Sequence, residues 1–253
     1  MSERTLYQMM LSDFMKWQNS ERDANGKYAK LWAKANGGKA TYPDAQEYSR
    51  IIADKWSELL KKYCGVDSGV SGMSSDELAT QVSKALEQCY KGSSYYSSKV
   101  QDGINKSVGL NINGVEGKLD RTRITRLIEK LKNGESVTED ILITAETEWL
   151  IDKPVVENIS MSAVTDTIQE NARLHTEAGL YSYIERKQGA GGCCDWCASV
   201  AGRYIYGEQP YDFFKIHKHC NCQITYMPSR QRWQNITFTT DSKGKISKNI
   251  EDL

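Results

Sequence analysis

Five of the chain's seven cysteines and two of its three histidines fall between Cys193 and Cys222. Thiolate sulfurs and imidazole nitrogens at that density are the donors a tetrahedral zinc ion takes, and four of them suffice. Cys194-x2-Cys197 is a chelating turn: two intervening residues let both sulfurs converge on one ion, and nearby backbone N–H groups stabilise the sulfur charge. Nineteen residues later comes His217-x2-Cys220, and then Cys222. The pattern Cys-x2-Cys-x19-His-x2-Cys lies within the spacing of zinc ribbons and related small modules. The candidate ligands are therefore Cys194, Cys197, His217, Cys220 and Cys222, with His219 as a competitor. In an extended segment His217 and His219 share a face, as do Cys220 and Cys222, so spacing leaves the final four open. Cys193, adjacent to Cys194, should point away from a shared ion.

The chemistry such a site could run is narrowed by what accompanies it. A zinc deaminase needs His-x-Glu together with Pro-Cys-x2-Cys, and a zincin protease needs HExxH; Pro-Cys-x2-Cys and HExxH are both absent from the sequence. Crowding by other thiols favours ligation over a cysteine nucleophile activated by His217 or His219. No catalytic residue is assigned, and the cluster reads as a structural staple in a non-enzymatic chain. Zinc would close the loop over residues 203–216, whose Tyr204, Tyr206, Tyr211, Phe213 and Phe214 are too few to fold unaided. Strands around 203–206 and 223–227 would then pair with each other.

The elements that must carry this knot are mostly helical. Residues 3–36 show a helical stripe of Leu6, Met9, Met10 and Phe14, interrupted at Asn25-Gly26 and closed at Gly37-Gly38. Pro43 opens a second helical stretch that ends at Gly65. Ser74 and Glu77 form a capping box for a helix ending at Gly92. The Tyr95-Tyr96 pair reads as core rather than a base-stacking platform, and residues 111–117 read as a turn or small hairpin around Asn113-Gly114. Residues 121–132 form a basic amphipathic helix, a solvated surface more than a nucleic-acid face because acidic residues dilute it. Another helix is expected over 137–151, and the longest over 161–187, with His175 as a hydrogen-bonded core residue. Cys89, in phase with Leu78, Val82 and Leu86, is a buried small hydrophobe. A short hairpin is expected around 241–244. The fold class is mainly α: a helical N-terminal region, 1–155, with a long helix leading into a small zinc-stapled C-terminal α/β module, 156–253.

Lys plus Arg and Asp plus Glu both number 33, so the formal charge is zero and a chain-wide nucleic-acid or lipid surface is not expected. No apolar run approaches the roughly 20 residues of a bilayer span, and the N-terminus shows no signal-peptide pattern, so a cytoplasmic chain is expected. There, clustered thiols bind metal rather than form disulfides.

Cys194, Cys197, Gly202, His217, Cys220 and Cys222, with the following short strand, resemble the C-terminal signature of tailed-phage minor capsid proteins, the phage head morphogenesis (MuF-like) family. Arg173, Thr176 and Glu177 are similar to that family's Arg-x2-Thr-Glu segment, whereas His219 departs from its pattern. The resemblance covers roughly the last hundred residues. It implies a minor structural protein of the virion, assembled with portal, capsid and scaffold proteins in the host cytoplasm. Contact with packaged DNA is the alternative that the basic residues keep open, and no membrane is involved.

Overall fold

In the computed structural model, the described residues are 5–65, 68, 74–132, 151–189, 194–217, 222–232, 236–240 and 246–250. The expected helix over 137–151 lies outside them, except for Ile151. The chain runs α1 (Leu6–Asp23), α2 (Lys27–Asn36), α3 (Tyr42–Cys64), α4 (Ser75–Ser107), α5 (Arg121–Lys132), α6 (Lys153–Glu177), β1 (Leu180–Lys187), α7 (Asp195–Ser199), β2 (Gly202–Ile205), β3 (Gln223–Arg232), β4 (Ile236–Thr240) and β5 (Ile246–Ile250). The mainly helical reading holds, with a small antiparallel sheet toward the C-terminus.

The sequence punctuation acts where its chemistry requires. Thr5 and Ser74 accept hydrogen bonds from the Gln8 and Glu77 backbone N–H groups, and those side chains return the bond to the cap, so reciprocal capping boxes start α1 and α4. Asn25, at φ 49°, turns the chain between α1 and α2. Pro43 occupies the first turn of α3, where its missing N–H costs nothing.

Two boundaries differ from expectation. Helix α4 continues through Gly92 to Ser107 and is, at 33 residues, longer than α6. A Cβ at Gly92 would meet nothing within 4 Å, and beyond it Tyr96 and Val100 keep the helix anchored in the core. Helix α6 stops at Glu177 rather than continuing to residue 187. Gly179, at φ +79°, breaks it, and the following residues switch to the two-residue period of a strand.

Helix α6 packs against α3 and α4 on one side and against β1 and β3 on another. Its buried residues therefore run almost all round, including Ser160, Thr165, Asp166, Thr167 and Asn171. This explains why its apolar stripe is imperfect in the sequence. Among its buried polar groups, Ser160 donates to the Ser49 carbonyl at 2.8 Å and lies 2.6 Å from Ser93 Oγ. Asp166 accepts from Tyr90 Oη at 2.8 Å and from both terminal nitrogens of Arg123 at 2.8 and 3.2 Å. Burial raises the Asp166 carboxyl above its ordinary range, against the opposing pull of Arg123.

Residues 110–120 do not form the expected hairpin. They lie as an extended strap along α4 and α6, held by side chains that stand in for a partner strand. Asn171 exchanges two hydrogen bonds with the Val115 backbone, at 3.0 and 2.8 Å. The Gly117 N–H donates to Ser94 Oγ at 2.8 Å and Thr167 Oγ1 at 3.0 Å. Gly114 and Gly117 permit this approach, because a Cβ would sit 2.3 Å from the Ser98 carbonyl oxygen or 2.7 Å from the Thr167 nitrogen.

One core of buried side chains extends from Leu6 and Trp56 through Tyr96 and Ile168 to Ile184, Phe213, Ile224 and Tyr226. Tyr96 supports the core reading of the tyrosine pair: it stacks on Tyr48 at 4.1 Å and donates to the Leu31 carbonyl at 2.7 Å, while Tyr95 is exposed. Cys64 and Cys89 are buried, and burial pushes both thiols up to about 12.

The sheet has the order β2-β1-β3, all antiparallel. Strands β2 and β3 thus do not pair with each other as expected, because β1, read as helix from the sequence, lies between them. Strands β4 and β5 form a separate two-stranded ladder with Thr240 opposite Ile246, on either side of the expected turn.

The strap and the helix interior predict opposite responses to the same substitution. Gly117→Ala should lower the unfolding free energy by about 1–3 kcal/mol through steric displacement of the strap. Gly92→Ala should raise it by about 0.5–1 kcal/mol through helix propensity. Urea denaturation of both variants checks the pair; a neutral Gly117→Ala would mean the strap is not seated on α6.

Candidate metal centre

The site is built at one end of the sheet. Helix α7 begins at Cys194, which takes the N-cap position with extended backbone (φ −68°, ψ 161°). Its sulfur accepts the Cys197 N–H at 3.5 Å, the backbone donation expected of a Cys-x2-Cys turn. One helical turn then brings Cys197 beside it. His217 reaches the same point from the other end of the 203–216 loop: its Nε2 lies 3.4 Å from Cys194 Sγ and 2.9 Å from Cys197 Sγ. All three donor atoms lie within 4.8 Å of one another. Around a tetrahedral zinc, sulfur and nitrogen donors stand about 3.5–3.8 Å apart. Cys194, Cys197 and His217 therefore form a cluster that could bind a metal ion.

The burial within the cluster is uneven. Cys194 is exposed, Cys197 is 1% exposed, and His217 is intermediate. Cys222 is buried in a small apolar group with Cys197, flanked by Trp196 and Ile216. Its sulfur does not belong to the three-atom cluster, while its carbonyl accepts a long 3.4 Å hydrogen bond from Gln46 Nε2 on α3. Cys193, His219 and Cys220 lie outside the described residues. The structure thus unites three sequence candidates and places Cys222 next to one of them.

Two further residues shape the site. Trp196 meets the His217 ring edge-on, with centroids 5.6 Å apart at 77°. Arg186, 2% exposed, lies with its guanidinium 5.2 Å from the Trp196 ring centre. Its Nη2 is 3.4 Å from Cys197 Sγ, and its Nη1 donates to the Phe213 and Lys215 carbonyls at 2.5 and 2.8 Å. The sequence alone does not single out Arg186, because residues 180–187 also satisfy a helical period. Read with period two, Ser182, Ile184 and Arg186 share the buried face, and a charge at the third position of that face is the missed signal.

The other motif positions have local physical roles. Gly202 has φ +143°, and a Cβ there would lie 2.8 Å from the Tyr204 hydroxyl. Arg173 pairs on its own helix with Glu177 at 2.7 Å and Glu170 at 2.9 Å. His175 is buried as expected: its Nδ1 is 2.5 Å from Tyr226 Oη, which also approaches Ser182 Oγ at 3.3 Å. This group joins α6, β1 and β3. Burial lowers the His175 pKa and raises that of Tyr226, so both are neutral near pH 7.

Comparison with protein-family models, with curated proteins and with solved structures gave no match.

The lowered His175 pKa has a definite linkage sign. The unfolded chain binds the proton more readily, so stability present above about pH 6.5 is lost as pH falls toward the folded-state value. The slope from this residue cannot exceed about 1.4 kcal/mol per pH unit. His175→Gln, which retains His217 but cannot titrate at 175, should show a shallower decline than the parent protein between pH 6.5 and 5 in urea denaturation. Parallel pH profiles would exclude His175 as the source.

Proposed function

We propose that this chain is a minor capsid, or head morphogenesis, protein of a tailed phage or prophage, acting near the portal during procapsid assembly, with a structural zinc ion. The observation that carries the reading is the convergence of Cys194, Cys197 and His217, three of the positions on which the resemblance to the MuF-like family rests. Two thiolates and an imidazole suit zinc, and a fourth ligand would come from the segment containing His219, Cys220 and Cys222. Cys222 is favoured within that segment by its burial next to Cys197.

The geometry supports a stapling role for the metal. Its ligands lie on α7 and at the end of the 203–216 loop, so one ion closes the segment that carries β2 and Phe213. Phe213 packs in the main core, which links order at the metal to order in the helical body. The chain acts as a non-enzymatic component in this reading, with portal, capsid and scaffold proteins as partners and the virion as its destination. No helix among the described residues is long and apolar enough to cross a membrane.

The competing reading, a module bound to packaged or ejected DNA, draws on the basic residues of α5. Several of these cations are already occupied within the chain. Arg123 pairs with Asp166 at 2.8 Å, Arg121 lies 3.6 Å from Glu87, and Lys118 in the preceding strap lies 3.3 Å from Glu170. Docking α5 to α4 and α6 accounts for them without a nucleic acid.

Purified protein should contain one zinc per chain. Cys194→Ser and Cys197→Ser should each abolish stoichiometric binding and expose the 194–222 segment to protease; metal-free wild-type protein with unchanged protease resistance would remove the staple. Mass spectrometry of purified particles from a producing strain should find the chain together with portal protein. Its absence from both particles and assembling heads would overturn the assembly role.

A further inference from the structure

We infer that Arg186 is the positioning residue of the metal site, joining the Cys197 thiolate to the loop that presents His217 through one buried guanidinium. This rests on the proposed metal-binding role of Cys194, Cys197 and His217. Arg186 lies on the central strand, opposite Gly202 of β2 and Ile224 of β3, so its backbone is fixed on both sides. Among the described residues its side chain has three acceptors, belonging to two separate segments. Nη2 approaches Cys197 Sγ at 3.4 Å, while Nη1 reaches the Phe213 and Lys215 carbonyls, the latter two residues before His217. Trp196 covers the guanidinium and also contacts the His217 ring. The two halves of the site are thus held in register by protein contacts as well as by a shared ion.

A planar guanidinium can serve acceptors in different directions at once, whereas an ammonium group is a compact point donor. An N–H donated to a ligand sulfur also withdraws electron density from it, tuning the metal bond as outer-shell hydrogen bonds generally do. Arg186→Lys preserves the charge and loses the fork; Arg186→Met loses both. Loss of such an outer-shell contact typically weakens metal binding by about 10–100-fold.

The test uses full-length protein loaded with cobalt(II), and separately with cadmium-113. Wild-type protein should give a tetrahedral cobalt spectrum with a sulfur-to-cobalt charge-transfer band. Arg186→Lys should bind cobalt about 10–100-fold more weakly in chelator competition, with that band moved to longer wavelength. Lys187→Met, on the exposed side of β1, should match wild type. The cadmium-113 experiment needs no variant: wild-type protein should show scalar coupling from cadmium to an Arg186 Nη proton through the Cys197 sulfur. A wild-type protein that binds neither metal would remove the underlying metal-site reading. A wild-type protein that binds both, with no cadmium coupling to Arg186, would overturn the Arg186 inference alone, whether or not the variants fold.

Discussion

The rest of the architecture depends on the burial of α6 on nearly all sides. A helix buried on most of its surface cannot leave the polar side chains of its buried faces to water, and several of them take partners from neighbouring elements. Ser160 reaches α3 and α4, Asp166 reaches α4 and α5, Asn171 reaches the 110–120 strap, and His175 reaches β3. These bonds specify direction in a way that apolar packing alone does not. A rotation of α6 about its axis would break several at once, leaving buried groups that each cost about 1–3 kcal/mol. The helix therefore fixes where the chain turns at Gly179, and so where β1 begins.

From that point the sheet follows geometrically. Strand β1 leaves α6 directly and takes the central place, with its alternate side chains directed inward. Ser182 and Ile184 fill that face near α6, and Arg186 carries it out to the candidate metal site. The charge is tolerated because its terminal nitrogens have carbonyl and sulfur acceptors and because Trp196 shields its face. A metal site on a loop is mobile unless something rigid supports it; here the support is a strand hydrogen-bonded on both edges.

The sequence was most informative where chemistry is local. Capping at Ser74, the break at Asn25-Gly26 and the Cys-x2-Cys turn depend on residues within a few positions of one another, and each appears in the structure. It was least informative where tertiary contacts overrule local preference. Gly92 and the serines after it resemble a helix end, yet α4 continues because those small residues pack closely against α6. Asn113-Gly114 resembles a hairpin turn, yet the strap takes its partners from helix side chains, which no two-strand pattern anticipates. Ala178-Gly179 followed by alternating residues did mark the change from helix to strand, but Leu180, Tyr183 and Ile184 also satisfy a helical spacing, and that ambiguity concealed Arg186.

The position of Arg186 bears on what the metal contributes. In the smallest zinc modules the ion supplies most of the folding energy, because little else holds the ligands together. Here β1 already pairs with β2 and β3, Phe213 and Tyr226 belong to the main core, and Arg186 links the two ligand-bearing segments. The candidate ligands would therefore lose less freedom on binding an ion, which would strengthen binding without any additional metal contact. The same continuity works in reverse. Because Phe213 and Tyr226 pack with Ile184 and Ile168 in one core, disorder spreading from an empty site would reach α6 itself. An ion bound at the sheet end in this way would couple metal occupancy to the packing of the helical body, through the helix whose buried polar contacts organise both.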